Sequence, residues 1–518
     1  MSWGQKPSGG APSQQQDLKK KLKEPFDVAV IGSGPGGSVM ATMLAEKHGL
    51  RVAVIDPALE RGWVPNYGVW LEEWEALDRL LDIGLGACLS RTWSVTDCFY
   101  GQSHGVPEGE RLRIERPYAR VARHAMRETL RDRMIRAGAV RIQGGVDAET
   151  VQHTATGSTF KLDTGDVVTA RMILDCSGHN TKLVERQGPH DPGFQIAYGM
   201  ECDVKDDLGP YDPDAMLFMD YRTSFAPAAR QQRLRAVPTF LYAMPLGRSG
   251  SGGGGAQRVF FEETSLVARP PMAIEECKER LYERLAHHGI EVTKVHEEEF
   301  CVIPMGGSLP KFDQRVVGFA GAGGLVHAST GYMQVRMLAA AKPAADAIGR
   351  AFAAAGADRA NFNPDAAARR AYLAIWPAAA RVQRDFHMFG GEFLMQQDVE
   401  ALRGFFNAFF KVPLPYWAGF LSGYPGLPHN EMHQSWGQRF LFGVQLWLYA
   451  PVPVKVALAV DAIKTGLQLG LVKSVTPLSD AEYDKDAALE AALSAMESAS
   501  SAAAKSAGKA APRELVES

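Results

Sequence analysis

Two adjacent carboxylates end the aromatic stretch Arg258-Val-Phe-Phe-Glu-Glu-Thr264, which follows the apolar run Pro238-Thr-Phe-Leu-Tyr-Ala-Met-Pro245. Aromatic and β-branched residues in both runs predict strands. Successive side chains of a strand point to opposite faces, so Glu262 and Glu263 cannot share one pocket while the strand is regular. One is expected to face a cavity, and the other to serve the structure, paired with an arginine. A carboxyl set among Phe260, Phe261 and Tyr242 loses hydration, which raises its pKa and lets it act as an acid near neutral pH. From these residues alone a structural carboxylate is the competing reading. His327, just after a glycine-rich turn, reads as a ligand or cofactor contact or as a structural imidazole. Glu72 and Glu73, between Trp70 and Trp74, read as a solvated face, and Cys176 as a small packing residue. No Ser/His/Asp order and no metal-ligand spacing stands out, so no metal is expected.

The elements that must position these groups begin with Asp27-Val-Ala-Val-Ile-Gly-Ser-Gly-Pro-Gly-Gly-Ser38, a short strand, a glycine-rich turn and a helix. Gly32 permits the tight turn, Gly34 lets backbone approach a pyrophosphate, and Gly37 lets the helix pack on the strand. The freed N–H groups and the positive helix end face the phosphates. A second strand, 51–55, ends at Asp56, where an acidic residue takes ribose hydroxyls. A dinucleotide is expected here. The strand 167–174 ends in Asp175-Cys-Ser-Gly178, and Val316-Val-Gly-Phe-Ala-Gly-Ala-Gly-Gly-Leu-Val-His327 is another strand entering a glycine turn, through Gly321 and Gly324. Both bring backbone close to a cofactor again.

Between them, residues from about 195 to 310 carry mostly strand signals and a glycine-rich loop at 247–255, expected to be mobile. Residues 26–350 therefore read as one nucleotide-binding domain with this β-rich unit inserted. The aromatic segment 62–74 is too polar and too broken by Gly and Pro for a core helix. Residues 351–475 are helical, aromatic and apolar, yet no run has the ~18 uninterrupted apolar residues of a membrane span. Interfacial association with a lipid surface and a buried helical lid both fit that pattern. The polar, basic leader 1–25 and the Ala/Ser-rich tail 476–518 are expected to be disordered. A net charge of −3 over 518 residues argues against nucleic acid as partner. Six scattered cysteines without a C-x-x-C pair indicate neither zinc nor a disulfide framework, which makes a reducing compartment the default.

Assembled in order, these motifs resemble the plant and algal lycopene cyclases from about Asp27 to about Leu471. The family's N-N-Y-G-V-W appears as Pro65-Asn-Tyr-Gly-Val-Trp70 and its R-P-Y-G-R-V as Arg116-Pro-Tyr-Ala-Arg-Val121. His190-Asp-Pro-Gly-Phe-Gln-Ile-Ala-Tyr-Gly199, Phe218-Met-Asp-Tyr-Arg222, the 239–245 block, Phe260-Phe-Glu-Glu-Thr264 and His327-Ala-Ser-Thr-Gly-Tyr332 match further family segments. Departures are Pro65 for one Asn, Ala119 for a glycine and Ala328 for a proline. The resemblance implies an α/β fold: an FAD-binding, Rossmann-type two-domain flavoprotein with a mixed-sheet substrate domain and a C-terminal helical region. It implies cyclisation of the ψ-ends of lycopene, via γ-carotene, to β-carotene, with Glu262 as acid or cation stabiliser. Trp70, Tyr242, Phe260, Phe261 and His327 would line the pocket, and Arg120 would join the glycines in holding FAD. The flavin would be reduced by NADPH although the reaction has no net redox change. Expected surroundings are a plastid membrane surface and other carotenoid-pathway enzymes. An ε-cyclase or a related xanthophyll ring-forming enzyme would use the same parts. From another class, a flavin monooxygenase would share the first glycine turn but commonly carries Gly-Asp where this chain has Gly321-Ala-Gly-Gly324. A carotenoid-binding protein without catalysis would need no flavin.

Overall fold

A computed structural model describes residues 12–509, apart from 206, 249–255, 358 and 360. The glycine-rich loop expected to be mobile therefore lies largely outside the described residues, as do 1–11 and 510–518. The nucleotide-binding sheet has a parallel core ordered Val140–Gln143, Val52–Asp56, Phe26–Ile31, Val167–Asp175, and Val316–Gly318 also pairs in parallel with the Val167 strand. Gly157–Leu162 and Val146–Thr154 extend it antiparallel. Every residue of Phe26–Ile31 is buried, as a parallel strand covered on both faces requires. The glycine-turn helix Pro35–Thr42 packs beside Gln334–Ala354 and the late glycine turn: a Cβ on Gly36 would lie 3.0 Å from Met337 Sδ of that helix and 2.7 Å from the Ala320 methyl of that turn.

The second sheet runs Val292–Met305, Gly193–Val204, Gln257–Ser265, Thr239–Arg248, Met216–Asp220, Thr96–Phe99, Arg111–Ile114. It is the β-rich unit expected at 195–310, but it also recruits two strands from before residue 115. Those two are short, and Arg111-Leu-Arg-Ile114 carries little apolar signal, so only the tertiary partner makes them strands. One face of this sheet is covered by the helix Ile274–His287 through Cys277, Leu281 and Leu285, packed on Met200, Leu241 and Phe261. The other face meets an aromatic layer supplied by C-terminal helices. A three-stranded sheet, Gly68–Trp70, Leu89–Trp93 and Tyr118–Val121, brings Trp70, Tyr118 and Arg120 to that layer.

Three expectations need correction. The helix Leu71–Leu81 starts directly after the Trp70 strand and buries Glu73 and Trp74; its apolar stripe was hidden by the Gly/Pro-rich residues before it. Glu73 is not on a solvated face: it is fully buried against Arg116, which also bonds Glu72. The tail is a helix over Asp480–Lys509, since Ala, Glu and Lys favour helix, and Leu493 docks in the core while Asp486 and Glu490 pair with Arg381 and Arg370. The leader likewise forms a helix, Pro12–Lys21, and Leu18 packs on the core.

Helices account for most of 364–474, as expected. Among the described residues no helix is long and apolar enough to cross a membrane. Trp436–Tyr449 and Val452–Lys464 nevertheless hold Phe440, Leu448, Val452, Val456 and Ile463 at 53–79% exposure, and Leu467 follows at 74%. This is the densest run of exposed large apolar side chains in the described chain.

Candidate active site

The second sheet sets one row of residues side by side. Tyr242 pairs with Glu262, Glu262 with Gly199, and Gly199 with Glu299. Paired residues share a face, so the phenol and both carboxyls project from the same side, toward the aromatic layer. Gly199 leaves a gap in the row through which the carboxyls of Glu262 and Glu299 reach one another and share a hydrogen bond. Burial pushes the Glu262 carboxyl well above the usual range, and the charge and hydrogen bond of Glu299 push it further. Glu299 is also raised by burial, but the Asn66 N–H, donated to Oε2 over 2.8 Å, and the Arg123 guanidinium favour its charge. Of the two, Glu262 is the carboxyl whose protonated form is favoured more strongly.

Glu262, Tyr242 and Tyr332 lie deep in the protein yet keep some accessible surface. The Tyr242 hydroxyl donates to the Tyr118 hydroxyl over 3.3 Å, and the Tyr332 hydroxyl is 3.5 Å from Tyr118. Burial drives all three phenols up, Tyr118 to about 12, so they are neutral. Phe260 lies on the Glu262 face and closes the floor.

Not all the expected pocket residues come together. Phe261 and Glu263 alternate with Phe260 and Glu262, and that puts both on the opposite face, under the Ile274–His287 helix. There Glu263 accepts two hydrogen bonds from Arg284, each 2.9 Å, and one from Thr239 Oγ1 at 2.5 Å. Glu263 is thus removed from the acid–base site and takes the arginine-paired role. Trp70 is fully buried, with the Arg116 guanidinium 4.2 Å over its ring and Tyr118 against it at 4.8 Å; it backs the pocket and lines none of it. His327 is also fully buried: Nε2 donates to the Phe420 carbonyl at 2.9 Å, Nδ1 accepts from the Ser329 N–H, and His387 stacks at 4.0 Å. Burial holds its pKa well below the usual value, so it is a neutral core imidazole that ties the late glycine segment to the helical region.

The residues the sequence reading missed are Glu299, Gly199, Tyr118 and Tyr332. Gly199 and Tyr332 end motifs already noted, and Tyr118 stands inside one. Glu299 had a weaker signal: in Glu297-Glu298-Glu299, alternation leaves the middle carboxylate on the other face, bonded to Tyr198 and Lys278.

The glycine turns fit a dinucleotide. Gly32 has φ +103°, and a Cβ there would lie 2.6 Å from the Cys176 carbonyl; a Cβ on Gly37 would lie 1.9 Å from the Gly32 carbonyl. Both glycines are demanded by protein packing. Gly34 is different: a Cβ there would meet nothing within 4 Å, so its backbone is open to an approaching group. Asp56 ends its strand beside this turn and accepts hydrogen bonds from the Ser33 N–H and hydroxyl. The late turn meets the middle one, with a Cβ on Gly321 falling 3.1 Å from Gly178, and Ala320 held at φ +52°. Gly178, at φ +103°, has open space before it, whereas Gly324, at φ +73°, abuts Arg186 and Leu309. Arg120 is spent elsewhere: it donates to Asn66 Oδ1 and Glu201 and lies over the Phe260 ring, with none of these partners in the glycine turns.

Known proteins are similar to this chain. The family model described as lycopene cyclase protein matches residues 27–431. The chain belongs to the lycopene cyclase family. A chloroplastic lycopene beta cyclase of Arabidopsis thaliana is 39% identical over 426 residues, 82% of this chain and 78% of its own. One from an Oncidium hybrid cultivar is 40% identical, over 78% of this chain and 79% of its own. A chromoplastic capsanthin/capsorubin synthase of Citrus sinensis is 37% identical, over 77% and 74%. Among solved structures, a flavin-dependent brominase superposes with a TM-score of 0.54 at 15% identity, covering 82% of this chain and 99% of its own. A halogenase in complex with FAD gives 0.53 at 14% identity, covering 81% and 86%. At such identity these two establish the fold, that of two-domain flavoproteins, and nothing about the reaction.

Proposed function

We propose that this cyclase closes β-rings on the ψ-ends of lycopene, via γ-carotene to β-carotene, as an isomerase without net redox change. The observation that carries the reading is the place of Glu262 on the aromatic face of the second sheet, beside Glu299 and Tyr242, where burial favours its protonated form. A protonated carboxylic acid in a water-poor site can deliver its proton to an alkene, where a solvated one delivers it to water. Glu262 gives its proton to the terminal double bond; the neighbouring alkene attacks the resulting cation; loss of a ring proton sets the double bond. The faces of Phe260, Tyr242 and Tyr118 offset the cation's lost hydration, each contributing about 2 kcal/mol when water is excluded.

FAD fits the Gly32–Gly37 turn, with Asp56 for its ribose and Gly178 and Gly321 closing on it; reduced by NADPH, it would supply an electron-rich ring near the cation. The relatives' plastid setting and the exposed apolar helices at 436–467 support a monotopic place on a plastid membrane, where a fat-soluble carotene is stored. Other enzymes of the carotenoid pathway are natural partners there. The capsanthin/capsorubin synthase at 37% identity favours one second reading, ring chemistry on an oxygenated carotenoid end by the same parts. Expressing the chain in a lycopene-accumulating bacterium and identifying the pigment tests the choice. β-Carotene is expected; unchanged lycopene, an ε-ring product or an oxygenated product would refute the β-cyclase reading.

A further inference from the structure

The strand register makes the Glu262–Glu299 contact a designed feature of this sheet. Their backbones are two strand spacings apart, roughly 10 Å, and two glutamate side chains meet across that distance only above a residue with no side chain. Gly199 is that residue: a Cβ there would lie 2.7 Å from Phe260 Cζ and 2.9 Å from Glu299 Cγ. The other acids of this face are neutralised. Arg120 bonds Glu201 over 2.7 Å, Arg258 bonds Asp203 over 2.8 Å, and Arg123 holds Glu297. Among the described residues neither Glu262 nor Glu299 has a salt-bridge partner, and two carboxylates in contact without a bridging cation hold one proton between them.

We propose that Glu299 is the positioning residue of the acid: it shares one proton with Glu262, keeps Glu262 loaded at neutral pH, and makes the dyad the acceptor of the proton the ring loses. The inference rests on the reading of Glu262 as the acid. The balance closes. The Glu262 O–H bond breaks as a C–H bond forms on the alkene; a C–C bond closes the ring; a ring C–H bond breaks and its proton returns to the dyad. Between those events both carboxylates are charged in a buried site, and their repulsion draws the ring proton in. The remaining titratable groups facing the pair are the phenols of Tyr67, Tyr118 and Tyr242 and the thiol of Cys301, all pushed up by burial and so neutral, the Arg123 guanidinium, which favours the charge of Glu299, and the Glu297 carboxylate, which opposes it.

Glu262 works only while protonated, so its activity is present below its raised pKa and lost as pH rises through it. In Glu299→Gln the repelling charge is gone, that pKa falls, and the loss occurs at lower pH. The test uses the full chain, flavin-loaded and reduced, with lycopene in liposomes, comparing wild type, Glu262→Gln, Glu299→Gln and Gly199→Ala across pH 6–8. The rate of Glu299→Gln relative to wild type is expected to fall about tenfold or more between the ends of that range, one pKa unit or more of displacement. Gly199→Ala, which wedges the pair apart, is expected to do the same. A ratio independent of pH in both variants would mean a structural role and overturn the proposal. Independently of turnover, the infrared difference between wild type and Glu262→Gln is expected to show a protonated-carboxyl stretch that persists to pH 8, over the background from the buried Glu73 carboxyl, and that component is expected to titrate lower in Glu299→Gln. Its absence from wild type overturns the dyad even if cyclisation is seen, whereas an active Glu262→Gln overturns the reading of Glu262 itself.

Discussion

Substituting the second glutamate of the pair separates stability from chemistry. Glu263 and Arg284 are both fully buried and joined by two hydrogen bonds of 2.9 Å. In Glu263→Gln the guanidinium keeps the Arg222 carbonyl at 2.9 Å and a single carboxylate, Asp220, at 3.9 Å, and Arg222 already holds that carboxylate at 2.6 Å. Two arginines then share one acid in a dry site. Breaking a buried pair from one side costs about 3–5 kcal/mol; the remaining pull of Asp220 places this case near 3. For a domain of 150–250 residues that is a fall in Tm of roughly 6–12 °C. Glu262→Gln removes no cation's partner and removes the cost of taking up a proton on folding that a raised carboxyl pKa imposes at neutral pH, so its melting temperature should hold or rise slightly. Circular-dichroism melts of the two purified variants, each with its flavin content measured, check the contrast. A Glu263→Gln protein that melts with wild type while losing cyclisation as completely as Glu262→Gln would refute the assignment of the two faces.

The glycine turn makes a second contrast. Gly37→Ala drives a methyl into the Gly32 carbonyl and should abolish soluble, folded protein, whereas Gly34→Ala meets no protein atom and should fold, melt near wild type and lose bound flavin by absorbance. On the helical region, Ile463→Asp with Leu467→Asp, both more than 70% exposed, should leave the melt unchanged and cut co-sedimentation with anionic liposomes severalfold; undiminished co-sedimentation would place membrane contact elsewhere.

Much of the nucleotide-binding unit was legible, because a buried parallel strand, a glycine spacing and a terminal acid are local signals. Glu262 and Glu263 were separable by strand alternation, and the structure adds that the same rule moves Phe261 away with Glu263. What stayed hidden depends on partners distant in sequence. Glu299 looks like one of three surface acids until the register sets it across Gly199 from Glu262. Trp70 and His327 read as pocket residues because aromatic rings near motifs are candidates; only packing reveals that Arg116 and the 387–420 helices already occupy them. The tail was misjudged because composition that cannot build a core alone can still dock a helix on one.

The central claim is that ring closure begins with a proton from Glu262. Cyclisation of lycopene in heavy water, with the deuterium located in the product by mass spectrometry and NMR, tests it most directly. The account predicts one deuterium per ring, on the carbon protonated first, and no ring formation in Glu262→Gln. Rings formed without deuterium at that carbon, or formed by the glutamine variant, would contradict it.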